Sequence, residues 1–232
     1  ILNPDLSYDE LGYDISCNLA STNVFNIINS DDFETSVDTA IRMLSRVAQS
    51  TSIKEVPTIE NANKKYRSVG LGSMGLHEAF ARNKIHYGSE ESLEFTDAYF
   101  RALRFYALKT SNKLAKETGD KFFEFEKSEY ADGSYIKRKY IDVPDFEFTY
   151  SKVEDAFSKV HIPTKQDWEE LSNSIMEHGL YNSYLLTVAP TGSISYINET
   201  TSSIHPIVNR IENRQEGKIG SVFYPAPGLS DE

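Results

Sequence analysis

The sequence predicts an α/β fold, because helical segments alternate with short apolar segments along its 232 residues. Three stretches begin with a helix-start signal and continue with apolar residues that are typical of a helix packed on a core. Two short stretches, "DISCNLAS" and "SYLLTVA", are typical of strands. Hydrophobic residues make up 39% of the chain, which is sufficient for one sizeable core or for part of a larger one.

The first predicted strand and helix lie within residues 14–50. In "DISCNLAS", Ile15, Cys17 and Leu19 alternate onto one face, so the pattern predicts a half-buried strand. Ser30 is expected to cap the helix that follows, with two acids in its first turn near the positive end of the helix dipole. These acids and the buried stripe of the helix are Asp31, Asp32, Phe33, Val37, Ile41, Leu44 and Ala48.

The middle of the chain holds the longest predicted helix. A loop around Pro57 and a helix over residues 73–82 precede it. Ser89 begins the long helix, whose first turn is acidic, and Gly119 ends it. Residues 120–163 are mixed and aromatic, with turn-forming residues among them, so this part is predicted to be irregular.

The last predicted helix is followed by a strand. Thr164 and Asp167 form a capping pair that starts the helix, and Gly179 ends it. Its apolar stripe is Trp168, Leu171 and Ile175. "SYLLTVA" then predicts a short buried strand that runs into "APTGSIS".

The stretch "VGLGSMG", residues 69–75, matches the dinucleotide-binding pattern G-x-G-x-x-G. Such a motif has to follow a buried strand, which aims the glycine turn at the pyrophosphate. The preceding residues, "ENANKKYRS", are polar and do not form that strand. We therefore expect no dinucleotide site here. Gly70, Gly72 and Gly75 are instead expected to allow a tight loop and a close approach between backbones.

The stretch "APTGSIS" has the composition of an anion-binding turn. Pro190 ends the strand, Gly192 permits backbone angles that other residues resist, and Thr191, Ser193 and Ser195 supply hydroxyls. A helix that begins near Ser193 would aim its free N–H groups at the same spot. The Gly-Lys-Ser/Thr ending of a Walker loop is missing. On these residues alone, a lysine-free phosphate site and an ordinary strand-to-helix turn are both open.

Composition excludes several other functions. The net charge of −11 argues against a DNA or RNA partner, and no apolar run is long enough to cross a membrane. The five histidines show no metal-ligand spacing, so no metal site is expected. The single cysteine, Cys17, fits a reducing, cytoplasmic compartment. Its local pattern favours a buried small hydrophobe over a redox thiol, because no second cysteine is available as a partner.

Three stretches together resemble one family. "LGYDISCNLASTN", "RSVGLGSMGLHEAF" and "VAPTGSISYINETTSSIHPI" are similar to the large, catalytic subunit of aerobic ribonucleotide reductase, most of all to its class Ib form. "EKSEYADGSY" and "RQEGKIGSVFYPAPGLS" fit the same family. The resemblance implies a ten-stranded α/β barrel. Residues 1–232 would form the C-terminal part of this catalytic barrel domain, with no separate second domain.

The resemblance also implies a reaction and the residues that serve it. In this family a cysteine thiyl radical removes the 3′ hydrogen of a ribonucleoside diphosphate. A cysteine pair then reduces the 2′ carbon as the hydroxyl leaves as water, and the pair becomes a disulfide. Cys17 matches one member of that pair, and Asn18 and Leu19 are further candidates for substrate contact. The residues that match the diphosphate-binding loop are Pro190, Thr191, Gly192, Ser193 and Ile194.

Partners and alternatives follow from the same resemblance. A small subunit with a dimetal (Mn or Fe) tyrosyl radical would supply the radical, and a glutaredoxin-like or thioredoxin-like protein would supply electrons. ATP and dNTP effectors would bind regions outside this chain, which is expected to bind no cofactor itself. Both ends are expected to be cuts within a longer protein, so the isolated chain is expected to be inactive. A class II, adenosylcobalamin-dependent reductase and a non-catalytic fragment that complements or modulates a reductase are the alternatives.

Overall fold

The computed structural model describes residues 4, 7, 11–16, 18–216 and 220–227. In this part of the chain, groups of helices separate short strands, and two consecutive strands come last. The α-helices are α1 (Val24–Ile28), α2 (Phe33–Ser50), α3 (Pro57–Tyr66), α4 (Leu76–Arg82), α5 (Glu90–Thr118), α6 (Ser134–Ile136), α7 (Ser151–Ala156), α8 (Lys165–His178) and α9 (Gly192–Ile197). The strands are β1 (Leu19–Asn23), β2 (Gly70–Met74), β3 (Ile211–Glu216) and β4 (Gly220–Pro225). A 3₁₀ turn spans Phe125–Lys127 and a π-helical turn spans Lys137–Ile141.

Three parallel chain segments lie side by side at the centre. β1 pairs with β2 in register from Leu19–Gly70 to Asn23–Met74. On the other side of β2, the amide of Leu71 donates to the carbonyl of Leu185 at 2.8 Å, and the amide of Thr187 donates to the carbonyl of Leu71 at 3.2 Å. Residues 184–187 therefore extend the sheet in the same direction, and helices connect the three segments, as in an α/β barrel.

Helices cover one face of this sheet. Tyr99 of α5 is fully buried, and its hydroxyl lies 2.8 Å from the hydroxyls of Thr22 in β1 and Ser73 in β2. Burial raises the pKa of the Tyr99 phenol, although both hydrogen bonds lower it, so the ring stays neutral at the centre of the packing. The predicted stripes of α2 and α8 pack in the same core.

The opposite face of the sheet is open on the two segments beside β2, although β2 itself is buried. Leu19 and Tyr184 are 43% and 66% exposed, and Val188 at the end of the third segment is 58% exposed. Strands of a closed barrel are covered on both faces, by helices outside and by packed side chains inside. A sheet that forms only part of a barrel is therefore expected to have an open inner face.

The predicted helix ends are confirmed for α5 and α8. Ser89 caps α5 by accepting from the amide of Ser92, and Gly119 ends the helix in the left-handed region at φ 74°. Thr164 and Asp167 form a reciprocal capping box at the start of α8, and Gly179 is its C-cap. These signals are local, so the sequence carries them completely.

Two predictions near the first strand are wrong. The strand begins at Leu19, and Ile15, which was expected on its buried face, is 58% exposed. The N-cap of α2 is Asp32, whose carboxylate accepts from the amide of Thr35 at 2.9 Å. Ser30 instead donates its hydroxyl to the carbonyl of Ile27 at the end of α1. An acid that was expected in the first turn of the helix is therefore its cap.

Two further predictions concern residues 57–82. Pro57 begins helix α3 instead of lying in a loop, because proline is well tolerated in the first turn. The helix predicted over residues 73–82 starts only at Leu76, since Gly70–Met74 is a fully buried strand. A strand with two glycines has little intrinsic strand propensity, so its neighbours, and not its own residues, define it.

The remaining segments agree in part with the prediction. Residues 120–163 contain only short helical turns and α7. "SYLLTVA" pairs with β2 only through residues near Leu186, and Tyr184 is exposed. The antiparallel hairpin of β3 and β4 was not anticipated from the sequence. None of the described helices combines the length and apolar composition that crossing a bilayer requires.

Candidate functional site

The "APTGSIS" loop lies where the third parallel segment ends. Helix α9 begins at Gly192, directly after this end, as the sequence predicts. Gly75, which follows β2, donates its amide to the carbonyl of Thr201, so the segment after α9 folds back onto the end of β2. The carboxyl ends of parallel strands are where α/β folds usually bind ligands.

The start of α9 presents free backbone donors. The first bonded amide is that of Ser195, which donates to the carbonyl of Thr191 at 2.9 Å. The amides of Gly192, Ser193 and Ile194 have no acceptor among the described residues. The Ser193 hydroxyl also has no hydrogen-bond partner among the residues that the structure describes. An anion placed before the helix could accept from several of these groups.

The five predicted loop residues divide into two kinds. Pro190, Gly192, Ser193 and Ile194 are exposed, whereas Thr191 is 2% exposed. The Thr191 hydroxyl accepts from the amide of Ser203 at 2.6 Å and lies 3.3 Å from the Ser202 hydroxyl. Thr191 therefore anchors the loop, and the other four residues face solvent.

The sequence predicts that Gly192 adopts backbone angles that other residues resist, and this prediction is wrong. Gly192 has a helical backbone conformation and is not among the residues with positive φ. Beyond its own helix, a Cβ built at Gly192 would meet no atom of the described residues within 4 Å. The fold itself therefore tolerates a side chain here. What the glycine provides is open space beside three free amides.

The close approach between backbones that was predicted for the "VGLGSMG" glycines is confirmed at Gly72, which lies within strand β2. Helix α3 and not a strand precedes them, in agreement with the rejection of a dinucleotide site. A Cβ at Gly70 would lie 2.7 Å from the side chain of Thr187, and one at Gly72 would lie 3.0 Å from the Thr187 carbonyl. The predicted tight loop is confirmed only at Gly75, which has φ 79°.

Cys17 lies outside the described residues. Its neighbour Ser16 donates its hydroxyl to the side-chain carbonyl of Asn63 at 2.8 Å. Asn18 accepts the amide of Gly70 at 2.9 Å through its backbone carbonyl. A cavity of about 340 Å³ opens beside these residues. Its lining includes Ser16, Asn18, Leu19, Gly70, Tyr184 and Thr187.

The predicted substrate-contact residues do not form one cluster. Asn18 and Leu19 are at the amino end of β1, level with Tyr184, whose carbonyl accepts from the amide of Val69. Pro190 follows Tyr184 by six residues, which corresponds to at most about 20 Å along a strand. A ligand that contacts both groups has to extend along the open face of the sheet.

A polar cluster behind the loop was not predicted from the sequence. It consists of Glu78, Thr200, Thr201 and Ser203, all buried. An acid in the first turn of a helix is usually exposed, so nothing local distinguishes Glu78. The hydroxyl-rich run "ETTSS" was the available signal. Among the described residues, no group of three or more His, Cys, Asp or Glu side chains could hold a metal ion.

Comparison with known proteins shows the family. Residues 5–232 match the model of the ribonucleotide reductase barrel domain. The chain is 43% identical to ribonucleoside-diphosphate reductase subunit alpha of Bacillus subtilis over 222 residues, which is 96% of this chain and 31% of that protein. It is 43% identical to the nrdEB subunit alpha of Bacillus phage SPbeta, covering 96% of this chain and 20% of the phage protein.

A third relative belongs to the same family. Ribonucleoside-diphosphate reductase subunit alpha of Mycoplasma pneumoniae is 41% identical over 233 residues, covering 98% of this chain and 32% of that protein. The chain thus spans at most about a third of the length of these curated relatives. Its parallel segments, covering helices and open inner face are those of part of an α/β barrel. The chain belongs to the ribonucleotide reductase large-subunit family and forms part of its barrel domain.

Proposed function

We propose that this chain is the C-terminal part of the catalytic barrel of a ribonucleoside-diphosphate reductase, and that residues 190–194 bind the substrate's diphosphate. The observation that carries the proposal is the start of α9, where three amides without acceptors among the described residues meet open space at the carboxyl end of the sheet. The named relatives support the substrate class.

The loop can bind a diphosphate without a cation. The exposed amides of Gly192, Ser193 and Ile194 and the Ser193 hydroxyl donate hydrogen bonds, and the helix end adds a favourable dipole. The missing side chain at Gly192 lets phosphate oxygens approach the backbone closely. The Thr191 hydroxyl accepts from the amide of Ser203, and this hydrogen bond holds the start of the loop in place.

The redox step uses Cys17 together with a second cysteine of the whole protein. The 2′ hydroxyl leaves as water, and hydrogen replaces it on the carbon. The two thiols supply the two electrons and two protons that this exchange needs and become a disulfide. The ribose therefore lies along the open face, with its 2′ carbon toward the amino end of β1 and its phosphates toward α9.

The partners follow from the same proposal. A radical-generating small subunit of the class Ib type starts the reaction, and a glutaredoxin-like or thioredoxin-like protein reduces the disulfide. The Bacillus subtilis and phage relatives, each 43% identical to this chain, are named subunit alpha, which supports an enzyme with a separate partner subunit. A cytoplasmic location stays a prediction from the single cysteine.

Replacing Gly192 with leucine tests the diphosphate site. In the assembled reductase, Gly192→Leu should raise the Kd for CDP at least tenfold, because the side chain fills the space that the phosphates need. The free energy of unfolding should change by less than about 1 kcal/mol, because a Cβ at this position meets no other part of the described chain within 4 Å. Calorimetric titration and urea denaturation measure the two quantities.

Ile197→Ala is the matched control for this experiment. Ile197 is on the same short helix and is 83% exposed, so its truncation should leave both quantities unchanged. An unaltered CDP affinity in Gly192→Leu would reject the diphosphate assignment. Parallel losses of affinity and stability would favour the ordinary strand-to-helix turn.

Replacing Cys17 with serine tests the redox role. Cys17→Ser should abolish CDP reduction by the assembled reductase, while CDP binding and the far-UV circular dichroism spectrum stay unchanged. Serine is nearly isosteric but cannot form a disulfide. Normal turnover in this variant would mean that the thiol only packs, and the chain would then be a non-catalytic part of the reductase.

A further inference from the structure

Glu78 is a buried carboxylate close to the loop but outside it. Its side chain is 4% exposed, in the first turn of α4. It accepts a hydrogen bond from the Thr200 hydroxyl and pairs with Arg82, whose Nε lies 2.8 Å from Oε1. A buried carboxylate is unfavourable unless it is paired and hydrogen-bonded. The hydrogen bond from Thr200 and the ion pair with Arg82 therefore stabilise the buried carboxylate together.

The turn formed by residues 199–203 depends on these contacts. Glu199 and Ser203 have φ of 50° and 52°, a left-handed conformation that residues with side chains adopt rarely. Such a turn persists when surrounding interactions hold it. Here Thr200 donates to Glu78, and the amide of Glu78 donates to the Thr201 hydroxyl at 3.4 Å.

The same turn holds the start of α9. The amide of Ser203 donates to the Thr191 hydroxyl at 2.6 Å, and the amide of Thr200 donates to the carbonyl of Ser195 at 3.0 Å. Thr191 immediately precedes the free amides at 192–194. A continuous set of hydrogen bonds therefore leads from Glu78 through the turn to the loop.

We propose that Glu78 is a positioning residue for the diphosphate loop, acting through Thr200 and the 199–203 turn. This inference rests on the proposed function, because it takes residues 190–194 as the diphosphate site. Arg82 neutralises the carboxylate, so that a negative charge can lie behind an anion site without repelling the anion. The Arg82 guanidinium is itself held over the ring of Phe25, at 4.6 Å from the centroid.

The test measures KM and kcat for CDP in the assembled reductase. Glu78→Ala should raise KM about tenfold with kcat changed less than about twofold, because the loop loses its fixed position while the reacting groups are untouched. Thr200→Val removes the same hydrogen bond and should raise KM similarly. Glu78→Gln keeps an acceptor for Thr200 and should restore KM to within about threefold of the unmodified enzyme.

A double variant separates a shared effect from independent ones. If Glu78 acts through Thr200, Glu78→Ala combined with Thr200→Val should raise KM no more than about twofold beyond the larger single effect. If the two single effects on KM multiply in the double variant, Glu78 does not act through Thr200 and the proposal is rejected. If Glu78→Ala does not fold, Thr200→Val and Glu78→Gln still decide the result.

Asn112→Ala is the matched control for loss of stability. Asn112 is 3% exposed and donates to the carbonyls of Ser174 and Gly179, in the packing of α5 against α8. It should lose stability without raising KM. A similar KM increase in Asn112→Ala would mean that Glu78 matters only for folding.

The two proposals fail in different ways. If Gly192→Leu weakens CDP binding but neither Glu78→Ala nor Thr200→Val raises KM, only the positioning role of Glu78 is rejected. If Gly192→Leu has no effect on CDP binding, the diphosphate assignment fails, and the positioning role, which depends on that assignment, fails with it.

Discussion

At the residue scale, Gly75 illustrates how one glycine can serve two needs. Its φ of 79° is unfavourable for any residue with a side chain. In addition, a Cβ at this position would collide with the Thr200 hydroxyl, which is bound to Glu78. Gly75 thus lets the 199–203 turn approach the end of β2.

We predict that Gly75→Ala is more destabilising than an alanine at another left-handed glycine. Gly88 has φ 84°, and apart from its chain neighbours no described residue has an atom within 4 Å of the position that an alanine methyl would take. Gly88→Ala therefore carries only the conformational cost of about 1–2 kcal/mol. Gly75→Ala should cost about 1–3 kcal/mol more, from overpacking. Urea denaturation of both variants checks this. Equal losses would mean that the turn moves away freely.

At the element scale, helix α8 depends on the capping box at its start. Burial raises the pKa of Asp167, but hydrogen bonds from Thr164 and His161 outweigh it, so the pKa is lowered overall. A carboxyl whose pKa is lower in the folded state stabilises the fold above its unfolded pKa, near 4. That contribution is lost as pH falls through the folded pKa.

We predict that Asp167→Asn removes part of the acid sensitivity of the protein. The variant should be less stable at pH 7 by about 1 kcal/mol, and the difference should shrink below about pH 4, where Asp167 becomes protonated. Glu169→Gln on the same helix is the control, because Glu169 is exposed and its carboxylate has no hydrogen bond with the described residues. A constant difference between pH 7 and pH 2 would contradict the assignment.

At the scale of the whole molecule, the open inner face limits what this polypeptide can do alone. The sheet is covered by helices on one side only, and Leu19, Tyr184 and Val188 are exposed on or beside the other. A substrate on this face would be open to water, whereas the proposed radical chemistry would need an enclosed site. The candidate contact residues also lie at the two ends of the sheet, so further groups have to hold the ligand between them.

We therefore predict that the isolated chain does not reduce CDP, even with a radical-generating subunit and a dithiol reductant. Adding the remaining segments of the large subunit should restore turnover, measured as dCDP formed. Turnover by the 232-residue chain with no other part of the large subunit would contradict the prediction that this chain is inactive alone.

Much of the fold could be predicted because it depends on neighbours in the sequence. The caps of α5 and α8 and the apolar stripe of α2 are short-range patterns with direct physical causes. The strand-to-helix turn at 190–194 was also expected from its residue types, whereas its role as a diphosphate site came from the resemblance and stays a prediction. The structure adds that Thr191 is an anchor while its neighbours are exposed.

The sequence by itself determined the helices with strong caps and, through its motifs, the family. Only the tertiary structure decided that "GLGSM" is a strand, that Gly192 is free of steric demand, and that Glu78 is buried beneath the turn. The physical reason is how far apart in the sequence the interacting residues are. A cap acts within one helical turn. Parallel strand pairing and the burial of a charge depend instead on residues far apart in the sequence, such as Ser21 with Gly72 and Glu78 with Thr200, which are 122 positions apart.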